Sequence, residues 1–288
     1  MSKSKIFAGL ATIGLLATMS ACNTTPGATP AGPGAGGDNG DGAGGGGTVN
    51  VGIKFDQPGL GLKEATGYTG FDVEVANYVT KELGYDNVNF IETPSAQRET
   101  MIQGGQVDMI FATYSITDAR KERVSFAGPY FIAGQDLLVK ADNTDITGPD
   151  TLDGKRLCSV TGSTPAKRIK DEHSQGVQLQ EFDTYTKCVD ALNSGTVDAV
   201  TTDNVILAGY AAQEQYAGKL KVVGAPFSEE KYGVGIKKGD VETCEKVNAA
   251  LQKMVESGEW EKALEKTVGA SGFTPDAATN PPEPEACS

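Results

Sequence analysis

Histidine and long apolar runs are scarce in this chain of 288 residues. The single histidine, His173, and the absence of any C-x-x-C pair argue against the common metal-site patterns. No nucleophile stands near a base, which argues against general acid–base catalysis, and the G-x-x-x-x-G-K-S/T phosphate loop is missing. After the N-terminus no run of 18 apolar residues occurs. We therefore predict no metal, no cofactor, no catalytic residue and no membrane-spanning helix in the body of the chain.

Positive charge is also scarce. Lys and Arg together number 25 against 38 Asp and Glu, so the formal net charge at pH 7 is −13. No basic cluster offsets this acidity, which argues against a nucleic-acid partner. An anionic ligand would need local cations at its site to overcome the overall negative field.

The N-terminus has the features of an export signal. Lys3 and Lys5 precede an apolar run at 6–17 that is shorter than the roughly 20 helical residues needed to span a bilayer. The residues M-S-A-C then resemble a bacterial lipobox, which would make Cys22 the acylated first residue of the mature chain and 1–21 the signal peptide. Lipobox patterns favour Leu where Met19 stands, and an ordinary secretory signal with an incidental Cys is the alternative. Loss of the two lysines would bring the net charge to −15.

The segment that follows is predicted to be a flexible linker over 22–47. Residues 23–47 contain 11 Gly and 3 Pro, and no aliphatic side chain larger than Ala, so they cannot bury enough surface to fold. A coil of this length spans roughly 25–30 Å root-mean-square. The folded body begins at residue 48, and residues 273–288, rich in Pro, Ala and Glu, predict an irregular tail.

Four cysteines remain beyond Cys22: Cys158, Cys188, Cys244 and Cys287. An even number in an exported chain predicts two disulfides, for which three pairings are possible. We favour Cys158–Cys188, because both lie in one predicted lobe, and Cys244–Cys287, which would join the tail to a late helix. Buried free thiols are the alternative.

Short β-like runs alternate with helical runs along the body. Val49, Val51 and Ile53 alternate with polar residues or Gly and predict a strand over 48–55, whereas apolar residues at helical spacing predict a helix over 71–84. The rhythm restarts near residue 156, which favours two similar α/β lobes with mostly parallel sheets. The further predicted strands are 88–91, 107–112, 156–160, 177–182, 197–201 and 231–237, and the further helices are 95–103, 163–172, 185–193, 240–257 and 259–266.

Polar residues follow several of these strands, at the sheet edge where ligands bind in α/β folds. Thr113, Ser115, Thr117 and Arg120 come after the strand 107–112. An Arg fork matches a carboxylate in two parallel hydrogen bonds, so this set predicts an anion site. The alternative is a helix that Thr117 caps, with Arg120 in solvent.

The second half of the body offers a counterpart. Ser163 and Thr164 follow Gly162 at a strand–helix junction, where exposed backbone N–H groups suit an anion. Asp203 follows the strand 197–201 and is placed either to pair with an ammonium group or to cap the next helix.

These motifs, in this order, resemble the bacterial periplasmic-type solute-binding proteins of ABC transporters for polar amino acids, in particular the lipid-anchored glutamate-binding proteins of Gram-positive bacteria. The resemblance covers roughly 48–270. It rests on KFDQPG at 54–59, TGFDVEVA at 69–76, PSAQRETMIQGGQVDMIFATYSIT at 94–117, FAGPYF at 126–131, CSVTGSTPA at 158–166 and VDAVTTD at 197–203. It implies an α/β, two-lobed periplasmic-binding-protein-like fold of type II, with two hinge strands and a ligand cleft between the lobes.

The resemblance also implies residue roles. Arg120 would clamp the α-carboxylate of the ligand, with Ser115, Thr117 and the backbone at Thr113 beside it. Ser163 and Thr164 would reach the same carboxylate from the second lobe, and Asp203 would hold the α-ammonium. The first lobe would comprise 48–139 and 233–272 and the second 140–232, with crossings near Lys140 and Tyr232.

Lys54 and Arg98 are the candidates for a side-chain carboxylate, unless either is a solvated surface charge. A cation there favours glutamate, with aspartate or glutamine next. The implied protein is a monomeric, non-catalytic receptor, lipid-anchored at the outer face of the cell membrane, that delivers an acidic amino acid to an ABC permease. The alternatives are a sensor domain, or a lyase or dehydratase on the same fold.

Overall fold

The computed structural model describes residues 46–173 and 176–287. The predicted signal peptide, Cys22 and almost all of the predicted linker lie outside the described residues. Within the described ranges, no helix combines the length and the apolar character needed to cross a membrane.

The described residues form thirteen strands and eight α-helices. The strands are β1 Thr48–Ile53, β2 Asp56–Gln57, β3 Gly61–Glu64, β4 Gly67–Thr69, β5 Asn87–Glu92, β6 Met109–Ile110, β7 Ser125–Ala133, β8 Gln135–Lys140, β9 Arg156–Val160, β10 Gln178–Phe182, β11 Ala199–Asp203, β12 Leu220–Val222 and β13 Glu230–Ile236. The helices are α1 Phe71–Glu82, α2 Arg98–Gln103, α3 Asp118–Lys121, α4 Thr164–Glu172, α5 Tyr185–Ser194, α6 Asn204–Ala211, α7 Val241–Glu256 and α8 Glu259–Thr267.

The first lobe is built on a five-stranded sheet of order β5-β1-β6-β13-β7. β1 runs parallel to β5 and β6, whereas β13 is antiparallel to β6 and β7. A small three-stranded sheet, β2-β3-β4, lies between β1 and α1 in the chain. Gly70 begins α1 with φ 121°, and a Cβ there would lie 2.0 Å from the carbonyl oxygen of Leu60. Only glycine fits this close approach, which starts α1 with Phe71 in the core.

The second lobe is built on a sheet of order β10-β9-β11-β8-β12. β9 is parallel to β10 and β11, and β8 is antiparallel to β11 and β12. Both sheets are therefore mixed rather than mostly parallel. The departure from the prediction has one cause: the strands that carry the chain between the lobes run against the strands of the βαβ units.

The chain changes sheet at Gly134, between β7 and β8, and returns through residues 223–229. The crossings predicted near Lys140 and Tyr232 are displaced from these points. β8 pairs with β11 of the second sheet, and Tyr232 pairs with Phe131 of the first. Apolar runs lie on both sides of residues 134–136, but neither run shows which sheet its strand joins.

Most predicted helices and strands are present within a few residues of their predicted ends. Trp260 is a core residue: it stacks on Phe131, meets Phe71 edge-on and donates to the carbonyl of Tyr130 at 2.9 Å. Both favoured disulfides are present, Cys158–Cys188 between β9 and α5 and Cys244–Cys287 between α7 and the tail. The tail is irregular up to residue 287, the last that is described.

Candidate ligand-binding site

The contribution of the first lobe begins at a sharp bend after β6. Thr113 has φ 45°, in the left-handed region that few non-glycine residues adopt. The carboxylate of Asp72 holds this bend, because its Oδ2 accepts the N–H of Thr113 at 3.0 Å and its Oδ1 accepts the Tyr130 hydroxyl at 2.7 Å. Burial raises the pKa of Asp72 to about 6, against the lowering effect of these hydrogen bonds.

Arg98 lies beneath the bend with 2% of its surface exposed, which rules out a solvated role. Its Nη1 donates to the carbonyl of Ala112 at 3.0 Å, and its guanidinium lies 4.3 Å from the ring centroid of Tyr114. Burial, with the charge of Arg120 added, lowers the pKa of Arg98 to about 10. Its Nε has no hydrogen-bond partner among the described residues.

Lys54 is buried as well, with 4% of its surface exposed. Its Nζ donates to Ser95 Oγ at 2.9 Å. Burial, followed by the charge of Arg98, lowers the pKa of Lys54 to about 8. Ser95, not Lys54, lines the space between the lobes, so Lys54 reaches that space through the serine hydroxyl.

Arg120 joins the two lobes. It donates to the carbonyl of Ser115 at 2.8 Å within the first lobe, and to the Gly162 carbonyl and Thr164 Oγ1 of the second, each at 3.2 Å. The Thr164 hydroxyl donates in turn to Ser115 Oγ at 3.0 Å. Arg120 is thus a buried residue that bonds both lobes, and it is not solvated as the alternative required. Thr117 does cap α3 by accepting the N–H of Arg120.

The second lobe supplies Ser163 and Asp203. Ser163 Oγ caps α4 by accepting the N–H of Ala166 at 3.1 Å. Asp203 stands at the start of α6, but no helix N–H donates to its side chain. Instead the Tyr232 hydroxyl donates to Oδ2 at 2.6 Å, and Oδ1 has no partner in the described ranges. Burial, with the charge of Glu230 added, raises the pKa of Asp203 to about 7.

A narrow cavity lies where these groups meet. It is lined by Gln57, Ser95, Arg98, Thr113, Ser115, Ser163, Thr164, Pro165, Tyr185, Thr202, Asp203 and Ile206. Its volume of about 10 Å³ suits one water molecule, so the lobes are closed on each other and must separate to admit an amino acid. Thr117 and Arg120 line the cleft just outside the cavity.

Six predicted site residues therefore line the cavity: Arg98, Thr113, Ser115, Ser163, Thr164 and Asp203. Sequence reasoning missed the remaining lining residues. Four of them lie inside motifs that carried the family resemblance, and this membership was the only available signal: Gln57, Ser95, Pro165 and Thr202. Tyr185 opens a helix and has the sequence character of a core residue.

Asp56 makes further contacts between the lobes. Its Oδ2 accepts the N–H of Tyr185 at 2.9 Å and of Thr186 at 3.4 Å, which caps α5 of the second lobe from the first. The Tyr210 hydroxyl donates to the Asp56 carbonyl. These bonds join the two lobes in the closed arrangement that the structure shows.

Two α/β lobes enclosing a small polar cavity define the class of two-lobed solute-binding proteins. The chain belongs to the bacterial extracellular solute-binding proteins, family 3, whose family model matches residues 49–270. The resemblance stated from the motifs is thereby confirmed.

The chain is similar to the glutamate-binding protein GluB of Corynebacterium efficiens, with 47% identity over 93% of this chain and 94% of that protein. It is 35% identical to the ABC transporter glutamine-binding protein GlnH of Bacillus subtilis, over 76% of this chain and 81% of that protein. Among solved structures, an ancestral arginine-binding protein bound to glutamine matches with a TM-score of 0.71 and 37% identity, covering 76% of this chain and 96% of that one. The ancestral amino-acid-binding protein AncCDT-1, a precursor of cyclohexadienyl dehydratase, matches with a TM-score of 0.69 and 32% identity, covering 76% and 94%.

We predict that Asp56→Ala weakens solute binding by about three- to tenfold, because a helix cap that joins the lobes contributes on the order of 1 kcal/mol to the closed form. Titration calorimetry measures the change. The matched control is Asp108→Ala, since Asp108 accepts the N–H of Asn50 at 2.8 Å within the first lobe. Equal losses of affinity in the two variants would contradict the prediction.

Proposed function

We propose that this protein is a non-catalytic receptor that captures an acidic amino acid, glutamate first, and delivers it to an ABC permease. The observation that carries the proposal is the pair of buried cations beside the cavity. In the described part of the chain, neither Lys54 nor Arg98 forms a salt bridge with a carboxylate. Buried cations without an anionic partner are costly, so a ligand carboxylate at this position would relieve the cost.

The opposite polarity lies across the cavity. Asp203 Oδ1 is a buried acceptor with no partner among the described residues, and it suits the ammonium of an amino acid. Arg120, at the edge of the cavity, has the donor fork that suits the α-carboxylate. Its hydrogen bonds to Gly162 and Thr164 would yield to the ligand when the lobes reopen and close around it.

Two comparisons support this choice of ligand. The names of the relatives are those of glutamate- and glutamine-binding proteins. These names favour a receptor over the lyase or dehydratase alternative. That alternative has one point in its favour, because a similar structure is a precursor of cyclohexadienyl dehydratase. An amide side chain carries no charge to match Lys54 and Arg98, so we place glutamate before glutamine. We also propose a monomer, because one chain supplies both lobes that enclose the cavity.

We expect glutamate to raise the melting temperature more than any other common amino acid in a thermal-shift screen. Stabilisation follows RT ln(1 + [L]/Kd), about 2.7 kcal/mol at a hundredfold excess over Kd. Arg120→Ala should weaken glutamate binding by more than about 100-fold, because the carboxylate would lose a bidentate ion pair. If no acidic or amide amino acid raises the melting temperature, the assignment of the ligand fails. If calorimetry finds only a few-fold loss of glutamate affinity in Arg120→Ala, the role of Arg120 at the carboxylate fails.

Glutamate binding should take up a proton at about pH 8.5. Burial, then Arg98, lowers the pKa of Lys54 to about 8, so much of the free protein carries a neutral amine at that pH. A ligand carboxylate beside the amine would raise its pKa, and glutamate affinity should therefore fall as the pH rises through this range. Calorimetry in two buffers of different ionisation enthalpy measures the uptake. Lys54→Met is the control, and equal uptake in both proteins would exclude Lys54 from the carboxylate site.

We also propose that lipid on Cys22 anchors the protein to the outer face of the cell membrane and that residues 22–47 tether the body. The M-S-A-C sequence and the Gly-rich composition support this proposal. Cys22→Ser should release the protein into the medium with unchanged solute affinity, as measured by cell fractionation and calorimetry. Undiminished membrane retention of that variant would rule out the anchor.

A further inference from the structure

The strand β7 has one free edge. In the sheet order β5-β1-β6-β13-β7 it is the last strand, so only one of its sides is paired with another strand. Such an edge exposes backbone N–H and C=O groups that need other partners. β7 also leads directly to Gly134, where the chain crosses to the second lobe.

The C-terminal tail supplies partners along this edge. Asn280 Nδ2 donates to the carbonyl of Ile132, and the N–H of Ile132 donates to Asn280 Oδ1, each at 2.9 Å. Further along, the N–H of Glu285 donates to the carbonyl of Gly128 at 2.7 Å. The tail thus bonds β7 at two places, and Asn280 is buried with 9% exposure.

The far end of the tail is fixed to two other elements. Cys287 is joined to Cys244 of α7 by the second disulfide. The carboxylate of Glu285 accepts Lys231 Nζ of β13 at 2.9 Å, and its backbone carbonyl accepts Asn248 Nδ2 at 2.8 Å. The strands that enter and leave the second lobe, β7 and β13, are therefore both tied to one covalently anchored segment.

The bonded part of the tail lies at the hinge. Ile132 lies two residues before Gly134, where the chain crosses to the second lobe. A cavity of about 330 Å³ is lined both by the two crossing segments and by the tail, with Gly134, Pro226 and Ser228 on one side and Phe273, Thr274 and Asp276 on the other. Backbone rotation at the crossings would therefore displace groups that the tail contacts.

We propose that residues 273–287 form a strap that restrains backbone rotation at the hinge and so slows opening of the lobes, with Asn280 as the positioning residue. The family model matches this chain up to residue 270, so the strap lies outside the matched residues. The role of the strap in solute retention rests on the proposed receptor function. The strap does not line the ligand cavity, and its effect on binding would pass through the hinge alone.

The test compares solute dissociation and lobe opening in strap variants. Asn280→Ala should speed glutamate dissociation in stopped flow by about five- to tenfold, because two hydrogen bonds next to the hinge are lost. Asn280→Asp, which keeps the acceptor and loses the donor, should show an intermediate rate. The double variant Cys244→Ser, Cys287→Ser should resemble Asn280→Ala. Glu283→Ala is the matched control, since Glu283 is an exposed tail residue.

Small-angle scattering of the protein without added amino acid gives a second measurement that needs no ligand. The radius of gyration should increase in Asn280→Ala and remain that of the wild type in Glu283→Ala. If Asn280→Ala lowers the melting temperature but leaves both the dissociation rate and the radius unchanged, the tail only covers an edge strand and the proposal is overturned. If the wild type binds no acidic or amide amino acid, the receptor proposal fails while the scattering comparison still decides the strap.

Discussion

The buried carboxylate of Asp72 organises the half of the site that belongs to the first lobe. It accepts one hydrogen bond from the Thr113 backbone and one from the Tyr130 hydroxyl, and so holds φ 45° at Thr113. That bend turns the Ala112 carbonyl onto Arg98 and brings Thr113 beside Gln57. Because burial raises the pKa of Asp72 only to about 6, the group is mainly a carboxylate at neutral pH and can accept both bonds.

The two lobes meet through polar contacts and small residues. Arg120 and Asp56 bond across the interface, and glycine allows close approach at two points. A Cβ at Gly162 would lie 2.7 Å from the backbone of Ala96, and one at Gly209 would lie 2.2 Å from the carbonyl oxygen of Pro58. An interface of this kind can reopen, since water replaces the hydrogen-bond partners that separate. Reversible closure is what a receptor that must release its ligand requires.

Much of the framework was predictable because it depends on local pattern. Alternating apolar residues placed β1, and helical spacing placed α1 and α7 within a few residues of their ends. The segment 125–140 was harder, because the apolar runs before and after Gly134 do not show which sheet each strand joins. The site shows the same division between local and distant determinants. Asp203 ends β11, close to the strand end that the sequence predicted, but the Tyr232 hydroxyl and not a helix N–H donates to its side chain.

By itself, the sequence determined the α/β class, the polar residues at the strand ends, the export features and the cysteines available for pairing. These are properties of composition and of short periods, which neighbouring residues specify. Only the tertiary structure decided that Lys54 and Arg98 are buried, where the chain crosses between the lobes, and that the tail bonds the hinge strand β7. The physical reason is distance along the chain: Asn280 and Ile132 are 148 residues apart, and only the complete fold brings their hydrogen-bonding groups together.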